Sequence, residues 1–169
     1  AGVLFATTNN VVREFNSLAN SLNLTYNQLA RLRSVSEGAN LETDMMIDLA
    51  KTLNEQIGEA ANGNKDFEES FARLGLSMSE LTKLGVDEQL ITVANALGQV
   101  SSQADKAQIG ATLFGDNWLP ALKLTEVNVK ALANEFDNLL PKIDDLDVSR
   151  AIEADKEFDK LIANLRTTT

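Results

Sequence analysis

LETDMMIDLAKTLNEQIGEAANG, residues 41–63, decides the fold class of this chain. Met46, Leu49, Leu53, Ile57 and Ala60 recur at spacings of three and four, which aligns them on one face of a helix and on no single face of a strand. Asn62-Gly63-Asn64 then ends the run, since Gly and Asn accept the left-handed backbone that closes a helix. The rest of the chain follows the same pattern outward from here.

Upstream, Val11, Phe15, Leu18 and Leu22 form one apolar stripe over about Asn9 to Leu22. Thr25-Tyr26-Asn27-Gln28 has the form of a capping box, in which the Thr hydroxyl and the Gln amide satisfy orphan backbone donors reciprocally. It opens a helix carrying Leu29, Leu32 and Val35, with Gly38 as its expected left-handed stop. Downstream, Phe67, Phe71 and Leu74 share one side of a short helix closed by Gly75. Ser77-Met78-Ser79-Glu80 reads as a second capping box, before a brief helix with Leu81 and Leu84 that stops at Gly85.

Asp87 is the expected cap of the next helix, whose inward positions are Leu90, Ile91, Ala94, Leu97 and Val100. Ile91-Thr92-Val93 is the best β-like triplet, and it lies inside that helical spacing. After Ser101-Ser102 another helix ends in Leu113-Phe114-Gly115, and Asn117-Trp118-Leu119-Pro120 restarts the chain, Pro being tolerated in a first turn. The last third is one amphipathic tract with Val127, Leu132, Phe136, Leu139 and Ile143, then Phe158, Leu161, Ile162 and Leu165. Pro141 and Asp144-Asp145-Leu146-Asp147 kink or divide it. The expected fold is therefore all-α: a bundle of short helices with glycine stops, followed by a longer C-terminal amphipathic helix. Residues 1–125 are expected to form a compact multi-helix region, and 126–169 a long helical tract kinked near Pro141.

Composition narrows the chemistry. The 169 residues contain no Cys and no His, which removes thiol nucleophiles, disulfides, Cys/His zinc sites, Ser-His-Asp triads and imidazole bases together. The formal net charge of −10 repels phosphate backbones, so broad nucleic-acid binding is not expected, and serves solubility. No apolar run approaches the roughly 18–20 residues of a membrane span. The start, Ala1-Gly2-Val3-Leu4-Phe5, lacks an initiator Met and a basic leader, and reads like the interior of a longer chain.

Three stretches, in order, carry a resemblance. Phe67 to Ser77 is a helix ending Phe71-Ala72-Arg73-Leu74-Gly75-Leu76-Ser77. Asp87 to Leu97 follows, with Leu90, Ala94 and Leu97 at its marked positions. Asp105 to Gly115, ending Leu113-Phe114-Gly115, then leads into Trp118-Leu119-Pro120-Ala121-Leu122. In this order and spacing they resemble an internal segment of bacteriophage and prophage tail tape measure proteins, over roughly residues 24–166. The link Gly115-Asp116-Asn117-Trp118-Leu119-Pro120 is shorter than the family's usual one.

The resemblance implies a structural virion protein that occupies the lumen of the tail tube and sets its length. It implies nucleation of tail assembly in the host cytoplasm, and release ahead of DNA ejection. Implied partners are tail tube, tail tip or baseplate hub and assembly chaperone proteins, with no enzyme activity and no cofactor. A wholly helical chain of this length would reach on the order of 250 Å, whereas the glycine stops point to a folded region on such a ruler.

Other features have structural readings. Asp144, Asp145 and Asp147 lack the glycine turn and distal Glu of a calcium loop and suit an acidic helix start. Trp118 suits a core plug between helices more than a partner anchor. Arg31, Arg33, Lys51 and Lys65 are scattered among acids and make no basic stripe. The end seams, Val11, Phe15, Leu18 and Leu22 with Phe158, Leu161 and Leu165, serve either an intramolecular core or contacts between copies in a homo-oligomer. The alternatives are a helical adaptor with an apolar groove, and a membrane-active segment used when DNA passes into the host.

Overall fold

The computed structural model describes residues 22–139, with residues 17, 19 and 20 before them. These residues are all-helical and contain no strand. Eight α-helices follow in order: α1 (Tyr26–Gly38), α2 (Thr43–Ala61), α3 (Lys65–Arg73), α4 (Met78–Leu81), α5 (Val86–Gly98), α6 (Gln103–Phe114), α7 (Trp118–Lys123) and α8 (Val129–Leu139). Single 3₁₀ turns, Gly115–Asn117 and Leu124–Glu126, bracket α7.

The capping box at Thr25 is present: the Gln28 N–H donates to Thr25 Oγ1 at 3.1 Å, and the Thr25 N–H to Gln28 Oε1 at 2.8 Å. Thr25→Ala is expected to cost about 1 kcal/mol, read as a fall in Tm of roughly 3–6 °C; an unchanged Tm would contradict that role. The second expected capping box, at Ser77, does not form. Ser77 Oγ pairs with Ser79 Oγ at 2.8 Å, and the four-residue α4 has no side-chain cap.

α1 also ends differently from expectation. Gly38 stays helical, and Asn40, with φ of 57°, supplies the left-handed residue. Gly38 serves another purpose, since a Cβ there would lie 2.7 Å from both Cδ atoms of Leu132 on α8 and would make that side chain shift. Gly75, by contrast, takes φ of 76°, and the Leu76 N–H closes back onto the Phe71 carbonyl at 3.1 Å. Gly85 is the extended N-cap of α5, which leaves Asp87 inside the first turn instead of capping it.

α2 is the central strut. Its predicted face, Met46, Leu49, Leu53, Ile57 and Ala60, is buried, and it packs on α1, α3, α5 and α6. α5 is buried more widely, with Leu90, Ile91, Val93, Ala94 and Leu97 all nearly inaccessible. α8 lies antiparallel to α1, because Leu132 meets Gly38 while Asp137 meets Arg31. It adds Val129 and Ala133 to the same core, with Phe136 also buried, so the expected boundary at 125/126 does not coincide with an edge of the core. Pro141 and the tract from residue 140 to 169 lie outside the described residues.

Candidate interaction surface

The positions singled out from sequence separate into three groups. Phe71, Leu90, Ala94, Leu97, Leu113 and Phe114 are buried in one hydrophobic core, with Phe67, Leu74 and Leu76 packed against it half-buried. Gly75 and Gly115 take positive φ values, 76° and 57°. Leu119 and Pro120 are different: Leu119 is 60% exposed, the one large apolar side chain so exposed among the described residues, and Pro120 is half-buried beside it. Trp118, expected as a core plug, is half-buried at the first position of the short α7 and is not among the fully buried core residues. Of the end seams only Leu22 is described, half-buried against the core; Val11, Phe15, Leu18, Phe158, Leu161 and Leu165 lie outside the described residues, as do Asp144, Asp145 and Asp147.

Leu119 and Pro120 form one wall of a groove of about 670 Å³. Leu122 continues that wall, and Leu41 and Met45 from the start of α2 face it. Asn40, Glu42, Lys123 and Glu126 complete the lining. A leucine held mostly in solvent beside an apolar cleft is a feature of docking surfaces, where association removes its cost of hydration. Among the described residues no group of three or more carboxylates is arranged to hold a metal ion, and no described helix is long and apolar enough to cross a membrane.

A second feature is polar and had no local signal in the sequence. Arg31, on α1, donates from Nη1 to Asp87 Oδ2 at 3.1 Å and to Glu88 Oε1, both on α5. Its Nη2 donates to Asp137 Oδ2 on α8 at 2.8 Å. Burial on its own lowers the pKa of this guanidinium, but hydrogen bonds to Glu88 and Asp87 and the charges of Glu88 and Asp137 outweigh it. The net displacement is upward, so Arg31 keeps its charge wherever the fold persists. One cation therefore ties three helices. A weaker, exposed pair, Arg73 with Asp105 at 3.2 Å, joins α3 to α6.

Comparison with protein-family models, with curated proteins and with solved structures finds no match for this chain.

Proposed function

We propose that this chain is a non-enzymatic helical segment of a phage tail tape measure protein, acting in the tail-tube lumen through packing, chain length and docking to other tail proteins. The observation that carries the reading is the ordered set of three stretches, residues 67–77, 87–97 and 105–122. Phe71, Leu90, Ala94, Leu97, Leu113 and Phe114 from the three stretches share one core, although Leu119 at the end of the third is exposed. The absence of Cys and His from the sequence and the net charge of −10 accord with a structural role beside DNA without binding it.

The complete gene in its phage or prophage tests the proposal. The reading frame is expected to continue for many hundreds of residues of helical sequence. In-frame deletion of a plain helical stretch outside this segment is expected to shorten tails by about 1.5 Å per residue removed, measured by electron microscopy. A short, complete gene, or tails of unchanged length, would overturn the reading. The groove at Leu119 favours the second reading, a helical adaptor that receives a partner helix. A short gene whose product loses a partner on Leu119→Lys would select it.

A further inference from the structure

Asn62-Gly63 is the single Asn-Gly pair in the 169 residues, and both residues are exposed where α2 ends. The pair carries a chemistry of its own, since the backbone nitrogen that follows an asparagine can attack the side-chain carbonyl carbon, Cγ, and close a cyclic imide. Glycine admits this attack best because no Cβ shields its nitrogen, and beyond the neighbouring chain no atom lies within 4 Å of the Cβ position at Gly63. In the folded chain the reaction is held off. The Gly63 N–H donates to the Ala60 carbonyl at 3.1 Å and the Asn64 N–H to the Glu59 carbonyl at 2.9 Å, which closes the last turn of α2. Asn62 has ψ of 5°, which sets the Gly63 nitrogen beside the Asn62 nitrogen and well away from its Cβ. Ring closure needs that nitrogen on the Cβ side, so the end of α2 must open first.

We propose that Asn62 is a modification site gated by the end of α2: opening that end converts it irreversibly into an acid that disfavours closing again. The Gly63 nitrogen gives its proton to solvent base as its bond to Cγ forms. The bond from Cγ to Nδ2 then breaks, and ammonia leaves with a proton from water. A second water opens the imide at either carbonyl. Opening at Cγ gives aspartate, whereas opening at the backbone carbonyl gives isoaspartate, whose chain runs through Cβ and Cγ. Both products put a carboxylate at the negative end of the α2 dipole. Isoaspartate also lengthens the backbone inside the closure from Asn64 to Glu59, which therefore no longer fits. The proposal does not depend on the tape measure reading, since it concerns only one helix end and water.

The test holds the full chain at mildly alkaline pH, folded in buffer or unfolded in guanidinium chloride, and reads position 62 by peptide mass and isoaspartate content. In denaturant Asn62 is expected to convert faster than any other asparagine. In buffer it is expected to convert about tenfold more slowly, the factor that the hydrogen bonds of the last turn supply. Ala61→Gly, at an exposed position, loosens that turn. It is expected to raise the rate in buffer about fivefold and to leave the rate in denaturant unchanged. Asn62→Asp carries the charge without the reaction, and is expected to speed hydrogen exchange at the Gly63 and Asn64 amides about twofold to fivefold. An Asn62 no faster than the other asparagines when unfolded would overturn the proposal. So would equal rates in buffer and denaturant, no effect of Ala61→Gly in buffer, or unchanged exchange in Asn62→Asp.

Discussion

Phe71→Ala is expected to lower the unfolding free energy by about 3–5 kcal/mol. The nine-residue α3 buries only Ser70 and Phe71, and Phe71 is fully inaccessible. α3 packs against α2 and α6, so removing the ring deletes its main anchor and opens a cavity that the surrounding helices cannot close without moving. A nine-residue helix has too little intrinsic stability to persist without that packing. The variant is expected to unfold at a Tm lower by roughly 10–25 °C, with a matching fall in the urea midpoint. Phe67→Ala, at a half-buried position of the same helix, is expected to cost less than half as much. A loss at Phe71 below about 1 kcal/mol would show that α3 does not hang on this ring.

Arg31→Met is expected to cost about 2–3 kcal/mol, below the range for breaking a fully buried ion pair because Glu88 and Asp137 are partly exposed and screened by solvent. Most of the loss falls on Asp87, whose side chain is only 8% exposed and would lose the guanidinium that satisfies it. Adding Asp87→Asn should restore part of the stability, and a double-mutant cycle between the two positions should show coupling of about 1–2 kcal/mol. Equal losses in the single and double variants would sink the claim that a stranded carboxylate sets the cost. Salt should weaken the share contributed by Glu88 and Asp137, whose charges lie nearer water.

The difference between these two sites explains what was legible in the sequence. Phe71 lies four residues after Phe67 and three before Leu74, so its burial follows from a local period. Met46, Leu49, Leu53, Ile57 and Ala60 on α2 were visible in the same way, whereas the buried Ile47 and Ala50 beside them were not. Arg31 lies 56 residues from Asp87 and 106 from Asp137, and no local pattern joins positions so far apart. Asp87 and Glu88 stand near a helix start, where acids are favourable without a partner, and that local reason concealed the tertiary one. Leu119 was read only as part of the restart Asn117-Trp118-Leu119-Pro120, and no local period in the short α7 between its two 3₁₀ turns discloses that it faces outward. Gly38 was read as a stop, whereas its missing side chain makes room for Leu132, a neighbour that sequence order does not disclose.

The antiparallel pairing of α1 with α8 has a mechanical consequence. Arg31 holds Asp137 two residues before the end of α8, whereas Gly38 meets Leu132 near its start. A pull at the Leu139 end therefore reaches the Arg31–Asp137 contact before the Gly38–Leu132 contact. Once α8 peels away, α1 and α5 each lose a packing partner. Stretched into continuous helix, residues 22–139 would reach on the order of 180 Å, so folding back shortens the reach of this stretch, and the Arg31 contacts help hold it short.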